Sequence, residues 1–395
     1  MSALTFEAIK QADQSYVLGT YGRFDACIVK GQGATCQDIE GRTYIDFTSG
    51  IGVNSIGYAD PDWVAAVSHQ AGELAHISNL FYTTPGALLA KTLCEKTGYA
   101  RVFFGNSGAE ANEGAIKTAR KYSFDKYGPG RSTVITLVNS FHGRTVTTLA
   151  ATGQDVFHNY FYPFTEGFCH VPAGDFAALE QAAENGVCAV MLEFVQGEGG
   201  VIPLDQDYVR QVYDFCKQRD ILFIADEVQT GIGRTGKLLA SEHFGVRPDI
   251  TTLAKGLGGG LPIGAFLVTE ELVPVMGPST HATTFGMNPI VCAGANVVLR
   301  KVANEQFLKE VVMKGEKIRS CLTCIPEVES TSGLGLMIGV KLRHKKSADV
   351  VRECLKKGLM VLTAKDKVRL LPPLTITDKE LTQGVQILWD VLESK

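Results

Sequence analysis

The chain has 395 residues, of which 45% are hydrophobic and 20% charged, and its formal net charge at pH 7 is −4. This length suggests two domains, because a single hydrophobic core rarely grows beyond about 250–300 residues. The composition is that of a globular protein, and a weak negative charge without a long basic block argues against nucleic acid or an anionic membrane as a partner. The beginning of the chain lacks the basic and apolar regions of a secretory signal, and no apolar run approaches the roughly 20 residues that cross a bilayer. These features predict a cytoplasmic protein.

The ten cysteines are scattered along the chain, and most of them neighbour apolar residues. In a large chain without a signal, we expect them to be reduced residues of the core and not a disulfide framework. Cys321 and Cys324 form one CxxC pair, but a zinc site needs further ligands at suitable spacing, and no second pair accompanies it. We therefore predict no metal site.

Short apolar strands alternate with helical stretches through the first three quarters of the chain. In chain order, the pattern predicts strands at 28–30, 43–47 and 101–104, a helix at 107–122, strands at 132–138 and 189–194, a helix at 209–219, and strands at 221–226, 249–253 and 264–268. Ser107 and Glu110 fit a capping box at the start of the first of these helices. The alternation predicts an α/β fold with a mostly parallel sheet and helices on both of its faces.

From about Pro289 onward the character of the chain changes, which indicates a smaller α+β domain. The pattern there predicts a long helical stretch over roughly 290–321, a strand at 336–342, and helices at 348–357 and 378–392. We therefore predict three parts: an N-terminal segment (1–49) that packs with the small domain, a large domain (50–288) and a small C-terminal domain (289–395).

Asp226 and Lys255 are the most informative pair of residues in the chain. Asp226 ends the apolar run at 221–225, and Lys255 lies among small residues just after the predicted strand at 249–253. A lysine that forms a Schiff base with an aldehyde and an aspartate that pairs with a pyridinium nitrogen are the groups by which proteins hold pyridoxal 5′-phosphate. Taken singly, a helix-capping aspartate and a surface lysine are the simpler interpretations, so the hypothesis depends on the other elements of the site.

Three further segments supply such elements. Gly108 and Ala109 open a predicted helix directly after a strand, where free N–H groups and the helix dipole favour a phosphate. Phe141 could stack on a pyridine ring and Arg144 could clamp a substrate carboxylate, although alone the first is more often a core residue and the second a surface residue. Glu198 lies among glycines and is either a movable carboxylate of the site or a residue of a turn.

Residues 231–236 match the pattern GxGxxG. A dinucleotide site needs these glycines to open a helix directly after a strand, with an acidic residue about 20 positions later at the end of the next strand. Here four residues separate the glycines from the strand that ends at Asp226, and no strong strand with an acidic end follows. We expect these glycines to shape a loop beside the cofactor and not a nucleotide-binding fold.

Six motifs resemble, in order and spacing, those of the class III pyridoxal-phosphate-dependent aminotransferases, and the resemblance extends over nearly the whole chain. The motifs are SGAEANE (107–113), SFHGRT (140–145), EFVQGEGG (193–200), DEVQTGIGRTG (226–236), LAKGLGGGLPIGA (253–265) and THATTFGMNP (280–289). The resemblance implies the aspartate aminotransferase-like fold of type I, in which a large domain with a mostly parallel central sheet accompanies a smaller α+β domain. It also implies an enzyme with pyridoxal 5′-phosphate as its cofactor.

The cofactor contacts of the family fall on particular residues of this chain. By resemblance, Lys255 is the Schiff-base lysine, Asp226 is the partner of the pyridinium nitrogen and Gln229 is the hydrogen-bond donor to the ring hydroxyl. Val228 would pack on one face of the ring and Phe141 on the other.

Two more parts of the cofactor site follow from the resemblance. Gly108 and Ala109 would hold the phosphate through their backbone N–H groups. Thr284 resembles the threonine that reaches the phosphate of the neighbouring subunit, which implies a homodimer. Thr283 lies beside it, near the substrate.

The resemblance also assigns the substrate-binding residues. Arg144 resembles the arginine that binds the carboxylate far from the reacting amine, and Arg369 the one that binds the α-carboxylate of glutamate. Glu198 resembles the acid that pairs with this second arginine when glutamate is absent. Tyr21, in a stretch at 20–24 that also resembles the family, is expected among the substrate-binding residues.

Within the class, the motifs most resemble the members that transfer the δ-amino group of N2-acetyl-L-ornithine to 2-oxoglutarate, giving N-acetyl-L-glutamate 5-semialdehyde and L-glutamate in arginine biosynthesis. Phe194 and Met287 stand where that subfamily usually has proline and glycine, and neither position is a cofactor contact. The alternatives are another ω-aminotransferase, which acts on ornithine, succinylornithine or 4-aminobutyrate, an aminomutase, and a cofactor-binding protein without catalysis.

Overall fold

The computed structural model describes residues 5–394. Its N-terminal segment has one helix followed by three short strands: α1 (Phe6–Tyr16), β1 (Ile28–Gln32), β2 (Thr35–Asp38) and β3 (Thr43–Asp46). Residues 1–4, which belong to the predicted segment 1–49 and to the stretch examined for a secretory signal, lie outside the described residues, as does residue 395.

The middle of the chain alternates between strands and helices, as the hydrophobic pattern predicts. Its elements are α2 (Ser49–Gly52), α3 (Pro61–Glu73), α4 (Thr84–Thr97), β4 (Arg101–Gly105), α5 (Gly108–Tyr127), β5 (Thr133–Leu137), α6 (Val146–Ala151), β6 (Phe168–Val171), α7 (Phe176–Ala182), β7 (Val187–Leu192), β8 (Val195–Gln196), β9 (Ile202–Pro203), α8 (Gln206–Gln218), β10 (Leu222–Asp226), α9 (Ser241–Phe244), β11 (Ile250–Leu253) and β12 (Gly264–Val268). Short 3₁₀ turns lie at Asp155–Phe157, Lys255–Leu257 and Glu270–Leu272.

The C-terminal part contains four helices and five strands in the described residues. They are α10 (Pro289–Val302), α11 (Glu305–Leu322), β13 (Val328–Leu334), β14 (Met337–Leu342), α12 (Ser347–Lys356), β15 (Leu359–Met360), β16 (Leu362–Ala364), β17 (Lys367–Leu370) and α13 (Asp378–Glu393). The long helical stretch predicted over 290–321 is thus two helices. Asn304 separates them, because its side chain accepts a hydrogen bond from the N–H of Phe307 and so caps a new helix.

The central sheet has seven strands in the order β4-β12-β11-β10-β7-β5-β6. The five strands from β11 to β6 are parallel to their neighbours, whereas β12 is antiparallel to both β11 and β4. The prediction of a mostly parallel sheet is therefore confirmed. Every residue of β7 and β10 is buried, as expected for parallel strands that are covered on both faces.

Helices cover both faces of this sheet, and the side chains of β10 show how. Leu222 and Ile224 pack in the same apolar cluster as α5, whereas Phe223 and Ala225 pack in the cluster that contains α8. This is the alternation of side chains that a strand imposes. The two helices consequently lie on opposite faces, and the loops that follow β4, β5, β7 and β10 meet at one edge of the sheet.

Besides the two-stranded pair β8-β9, residues 5–394 form two four-stranded sheets outside the central one. One is antiparallel, with the order β13-β14-β17-β16, and the other has the order β1-β2-β3-β15. In the second sheet the N-terminal strand β3 runs parallel to the C-terminal strand β15. Glu380 of α13 also accepts hydrogen bonds from the N–H of Ala34 (3.2 Å) and the hydroxyl of Thr35 (3.1 Å). The N-terminal strands therefore contact the C-terminal part.

One apolar core extends across residue 289. α10 packs on α3 and α4, and the core cluster that contains residues of α10 also contains residues of β11, β12 and β14. The boundaries at 49 and 288 stay predictions. Among residues 5–394, no helix combines the length and the apolar character that a membrane span requires.

Candidate active site

Nine of the residues predicted from the sequence line one cavity of about 470 Å³ at the carboxyl edge of the central sheet. They are Gly108, Ala109, Phe141, Arg144, Glu198, Asp226, Val228, Gln229 and Lys255. A larger hollow of about 730 Å³ lies between α4 and α11 and contains none of these residues. The chemistry-bearing side chains therefore identify the smaller cavity as the candidate site.

Asp226 ends β10, and several hydrogen bonds hold its carboxylate in place. Oδ2 accepts hydrogen bonds from Nδ2 of Asn112 (2.8 Å) and from Nδ1 of His142 (2.7 Å), and Oδ1 accepts one from the N–H of Val228 (3.0 Å). Burial lowers the pKa of a histidine, but the hydrogen bond and the charge of Asp226 outweigh it here, so the pKa of His142 lies above its ordinary value. These three hydrogen bonds fix the orientation of the Asp226 carboxylate.

Neither Asn112 nor His142 is assigned a role by the sequence patterns. Asn112 lies four residues after Gly108, which places both residues on one face of α5. His142 lies inside the motif at 140–145. The helical spacing is the signal that could have identified Asn112, but only the fold shows that both side chains meet Asp226.

Lys255 lies in the turn after β11, with its backbone in the left-handed region at φ 39°. A lysine in this conformation is strained, and such strain is concentrated at functional sites. Burial lowers the pKa of its amine, and the positive charge of Arg369 lowers it further, although the carboxylates of Glu198 and Asp226 oppose both effects. Within residues 5–394 the amine has no hydrogen-bond partner. It is thus a reactive amine that more readily loses its proton.

The start of α5 forms another wall of the cavity. Ser107 caps the helix by accepting a hydrogen bond from the N–H of Glu110 at 3.2 Å. The predicted capping box is only half formed, because the carboxylate of Glu110 binds the backbone N–H of Asn106 (2.6 Å) instead of that of Ser107. A Cβ atom added to Gly108 would lie 2.6 Å from Cγ1 of Val228. Glycine is therefore required at this position for the start of α5 to pack against Val228. The free N–H groups of the first turn suit an anion.

Glu198 and Arg369 form an ion pair at the side of the cavity. Arg369, on β17, is 3% exposed, and its Nη1 lies 2.5 Å from Oε1 of Glu198 and 3.4 Å from Oε1 of Gln229. Burial raises the pKa of the Glu198 carboxyl, but the charge and the hydrogen bond of Arg369 outweigh it and hold the pKa below its ordinary value. Nε of Arg369 has no partner among the described residues, so this guanidinium retains a donor for another carboxylate.

Arg144 is exposed at the mouth of the cavity and stacks on aromatic rings. Its Cζ atom lies 4.1 Å from the ring centre of Phe157 and 5.5 Å from that of Phe141. In the part of the chain from 5 to 394, it forms no ion pair with a carboxylate. A guanidinium without a protein counter-ion is suited to an anionic substrate.

Glu193 joins two loops of the site and is not assigned a role by the sequence patterns. Its carboxylate accepts hydrogen bonds from the N–H of Phe141 (2.8 Å) and that of Gly197 (3.1 Å). Burial raises the pKa of Glu193 to about 7, and the nearby charge of Asp226 acts in the same direction. Its position directly after the apolar run at 188–192 is the sequence feature that could have identified Glu193 as a residue of the site.

Four predicted residues do not line the cavity in this single chain, and one of them, Arg369, contacts it through Glu198. Thr283 contacts Asn106, which does line the cavity. The hydroxyl of Thr283 accepts a hydrogen bond from Nδ2 of Asn106 at 3.1 Å. Its neighbour Thr284 is exposed. The side chain of Tyr21 is 73% exposed and lines a separate groove beside α1, so the structure does not bring Tyr21 to the cavity.

None of residues 231–236 lines the cavity, so the expectation that they form a loop beside the cofactor stays a prediction. Gly233 and Gly236 of this loop face α10 and α11 and not the cavity. A Cβ atom added to Gly233 would lie 2.5 Å from Cγ1 of Val302, and one added to Gly236 would lie 2.3 Å from Cγ2 of Val312. The glycines therefore permit close packing against α10 and α11.

All ten cysteines are free, and Cys324 of the CxxC pair is exposed. Among residues 5–394, no group of three or more His, Cys, Asp or Glu side chains could hold a metal ion.

Comparison with known proteins gives consistent similarities over the whole chain. The profile of the family described as aminotransferase class-III matches residues 18–392. The acetylornithine aminotransferase of Haemophilus ducreyi is 57% identical over 391 residues, which cover 98% of this chain and 99% of the relative.

Two solved structures are similar in fold. The crystal structure of the N-acetylornithine aminotransferase from Stenotrophomonas maltophilia K279a has a TM-score of 0.83 and 36% identity, with 96% of this chain and 97% of that chain covered. The crystal structure of the ornithine aminotransferase from Toxoplasma gondii ME49 has a TM-score of 0.94 and 34% identity, with 98% and 95% covered.

Proposed function

Because this chain belongs to the class III aminotransferases, we propose that it transfers the δ-amino group of N2-acetyl-L-ornithine to 2-oxoglutarate. The products are N-acetyl-L-glutamate 5-semialdehyde and L-glutamate, so the enzyme acts in arginine biosynthesis. The observation that carries this proposal is the presence of two arginines of different character beside one reactive lysine. Arg144 is exposed and without an ion-pair partner in residues 5–394, whereas Arg369 is buried and neutralised by Glu198.

We infer that the cavity holds pyridoxal 5′-phosphate, the cofactor on which this family depends. The amine of Lys255 suits the aldehyde, the carboxylate of Asp226 suits the ring nitrogen, and the N–H groups at the start of α5 suit the phosphate. Val228 and Phe141 line the cavity where they would cover the two ring faces, and Gln229 would donate to the ring hydroxyl. When bound, this cofactor carries the amino group and accepts electrons from the carbon to which that group is attached.

Lys255 then serves as the acid–base group. Its Nζ would take the proton from the substrate carbon that carries the nitrogen and pass it to the carbon on the other side of that nitrogen. A proton acceptor works best when its pKa lies near the working pH, and burial moves the pKa of this amine in that direction. Asn112 and His142 hold the Asp226 carboxylate in place, because both donate to its Oδ2 atom.

The two arginines match the different positions of the carboxylates in the two substrates. Acetylornithine reacts at the end remote from its carboxylate, whereas 2-oxoglutarate reacts beside one carboxylate and carries a second one farther away. Arg144 binds the distal carboxylate of either substrate. Arg369 binds only the proximal carboxylate, for which Glu198 must first leave the guanidinium. While acetylornithine is bound, Glu198 keeps the charge of Arg369 neutralised.

We further propose a homodimer in which Thr284 reaches the phosphate site of the neighbouring subunit. The loop that carries Thr284 is held in place, since Nδ2 of Asn79 donates to the carbonyl of Gly286 at 2.9 Å. Large apolar side chains surround it and are exposed in the single chain, among them Phe285 (62%) and Leu80 (88%). An exposed apolar patch of this kind is typical of a subunit interface.

Steady-state kinetics with a panel of amino donors tests the function. We expect the highest kcat/KM for acetylornithine when it is compared with ornithine, succinylornithine and 4-aminobutyrate at saturating 2-oxoglutarate. A higher value for one of the other amines would overturn the donor assignment. Turnover of the donor without any keto acid would instead indicate an aminomutase.

A further inference from the structure

We propose that Phe157 is a positioning residue for Arg144, whose guanidinium its ring holds in the orientation that binds the distal carboxylate of both substrates. This inference rests on the proposed function, since it requires Arg144 to bind that carboxylate. Phe157 lies outside the six sequence motifs.

The guanidinium of Arg144 stacks against two aromatic rings. Its Cζ atom lies 4.1 Å from the ring centre of Phe157, closer than to that of Phe141 at 5.5 Å. The two rings themselves meet edge to face, with their centres 5.8 Å apart and an angle of 77° between their planes. Since Arg144 is exposed and forms no ion pair within residues 5–394, these rings are its main restraint.

The position of Phe157 is fixed independently of the arginine. Phe157 closes a short 3₁₀ turn that follows Gly153 and Gln154. The N–H of Gly153 donates to the hydroxyl of Ser140 (3.0 Å), and Nε2 of Gln154 donates to the carbonyl of Ser140 (3.0 Å). The carbonyl of Gly153 also accepts a hydrogen bond from the N–H of Asn139 at 2.7 Å. These hydrogen bonds hold the turn against residues 139–140, which directly precede Phe141 and lie close to Arg144 in the chain.

Stacking suits this task because it leaves the hydrogen-bonding edge of a guanidinium free. A ring contacts the face of the planar group, and the N–H donors in its plane can still form two bonds to a carboxylate. Arg369 is restrained differently, by the carboxylate of Glu198, which accepts a hydrogen bond from its Nη1 atom. Arg144 can thus bind a carboxylate in both half-reactions without losing a protein partner first.

The test compares donors that differ only in the distal carboxylate. Phe157→Leu keeps an apolar side chain but removes the ring, and Phe157→Tyr keeps the ring. Each holoenzyme is assayed with acetylornithine and with N-acetylputrescine, which is the same amine without the carboxylate. For Phe157→Leu we expect kcat/KM for acetylornithine to fall about three- to tenfold, mainly through KM, and kcat/KM for N-acetylputrescine to change less than about twofold. Phe157→Tyr should stay within about twofold of the wild type for both donors.

Arg144→Gln separates the failure of this inference from the failure of the proposed function. If Arg144→Gln leaves kcat/KM for acetylornithine unchanged, Arg144 does not bind the distal carboxylate and the role proposed for it is wrong. If Arg144→Gln impairs acetylornithine but Phe157→Leu does not, only the positioning role is wrong. An equal loss for both donors in Phe157→Leu, or the same loss in Phe157→Tyr, would also overturn it. In the double variant we expect no loss beyond that of Arg144→Gln, because both changes act through one contact.

Discussion

The charge on Lys255 depends on two neighbours that act in opposite directions. Besides burial, the positive charge of Arg369 lowers the pKa of the amine, whereas the negative charge of Glu198 raises it. These neighbours form an ion pair with each other, so their charges act on Lys255 in opposite directions. Removing either one leaves the other unbalanced, so the pair offers a direct test of the electrostatics of the site.

We predict opposite shifts in the pH dependence of cofactor uptake. Glu198→Gln removes an anion and leaves Arg369 unbalanced, so the pKa of Lys255 should fall and covalent uptake of pyridoxal phosphate by the apoprotein should begin at lower pH. Arg369→Gln should move the onset to higher pH. We expect shifts of about 0.5–1 pH unit, measured from the uptake rate by absorbance at a series of pH values. Shifts in the same direction in both variants would show that these charges do not control the amine.

At the level of the elements, the sequence predicts which strands exist but not which side chains meet. The strands of the central sheet from β4 to β12, apart from the short β6, match their predicted bounds to within two residues, because buried strands are continuous apolar runs. Asn112 and Asp226 are 114 positions apart in the chain, and no local pattern relates them. The contact of Phe157 with Arg144 and the direction of the loop at 231–236 also depend on packing between distant segments.

The loop at 231–236 has a structural role that can be tested. The carbonyl of Arg234 accepts a hydrogen bond from the N–H of Leu336 (3.0 Å), and Nη1 of Arg234 donates to the carbonyl of Leu336 (3.1 Å). Leu336 lies in the turn between β13 and β14, and β14 pairs with β17, which carries Arg369. The loop therefore supports the sheet that holds one of the two proposed carboxylate-binding residues.

A pair of glycine substitutions measures this packing. Gly335 has φ 53°, and an added Cβ atom would lie 2.5 Å from the backbone carbon of Thr235; Gly174 has φ 85° with no atom within 4 Å of such a Cβ. Gly174→Ala should lower the free energy of unfolding by about 1 kcal/mol, through backbone strain alone. Gly335→Ala should lower it by roughly 3 kcal/mol or more, because the backbone must also move apart. Denaturant unfolding checks both values, and equal losses would contradict the close contact.

On the scale of the whole molecule, the distribution of the predicted residues itself argues for an assembly. Nine of them line one cavity, whereas Thr284 lies on an exposed loop beside the large apolar side chains of Phe285 and Leu80. A site that a single chain leaves incomplete is explained if a second copy supplies the missing group across a symmetric interface. The sequence motif identifies Thr284, but it cannot show which subunit the threonine serves.

Mixing two inactive variants tests this shared site. Lys255→Ala removes the reactive amine, and Thr284→Asp places a negative charge next to the proposed phosphate, so each homodimer should be inactive. After the two variants are unfolded and refolded together, random pairing makes half of the dimers hybrids, and each hybrid has one intact site. We predict about a quarter of the wild-type activity. No recovery, despite hybrid dimers seen by native mass spectrometry, would show that Thr284 serves its own subunit.

The central claim is that Lys255 carries the cofactor and releases it to the amino donor. Borohydride reduction of the purified enzyme, followed by peptide mass spectrometry, tests this most directly. We predict a pyridoxyl group on the peptide that contains Lys255, and its loss when acetylornithine is added before the reduction without a keto acid. A pyridoxyl group on a different lysine, or one on Lys255 that acetylornithine does not remove, would contradict the account.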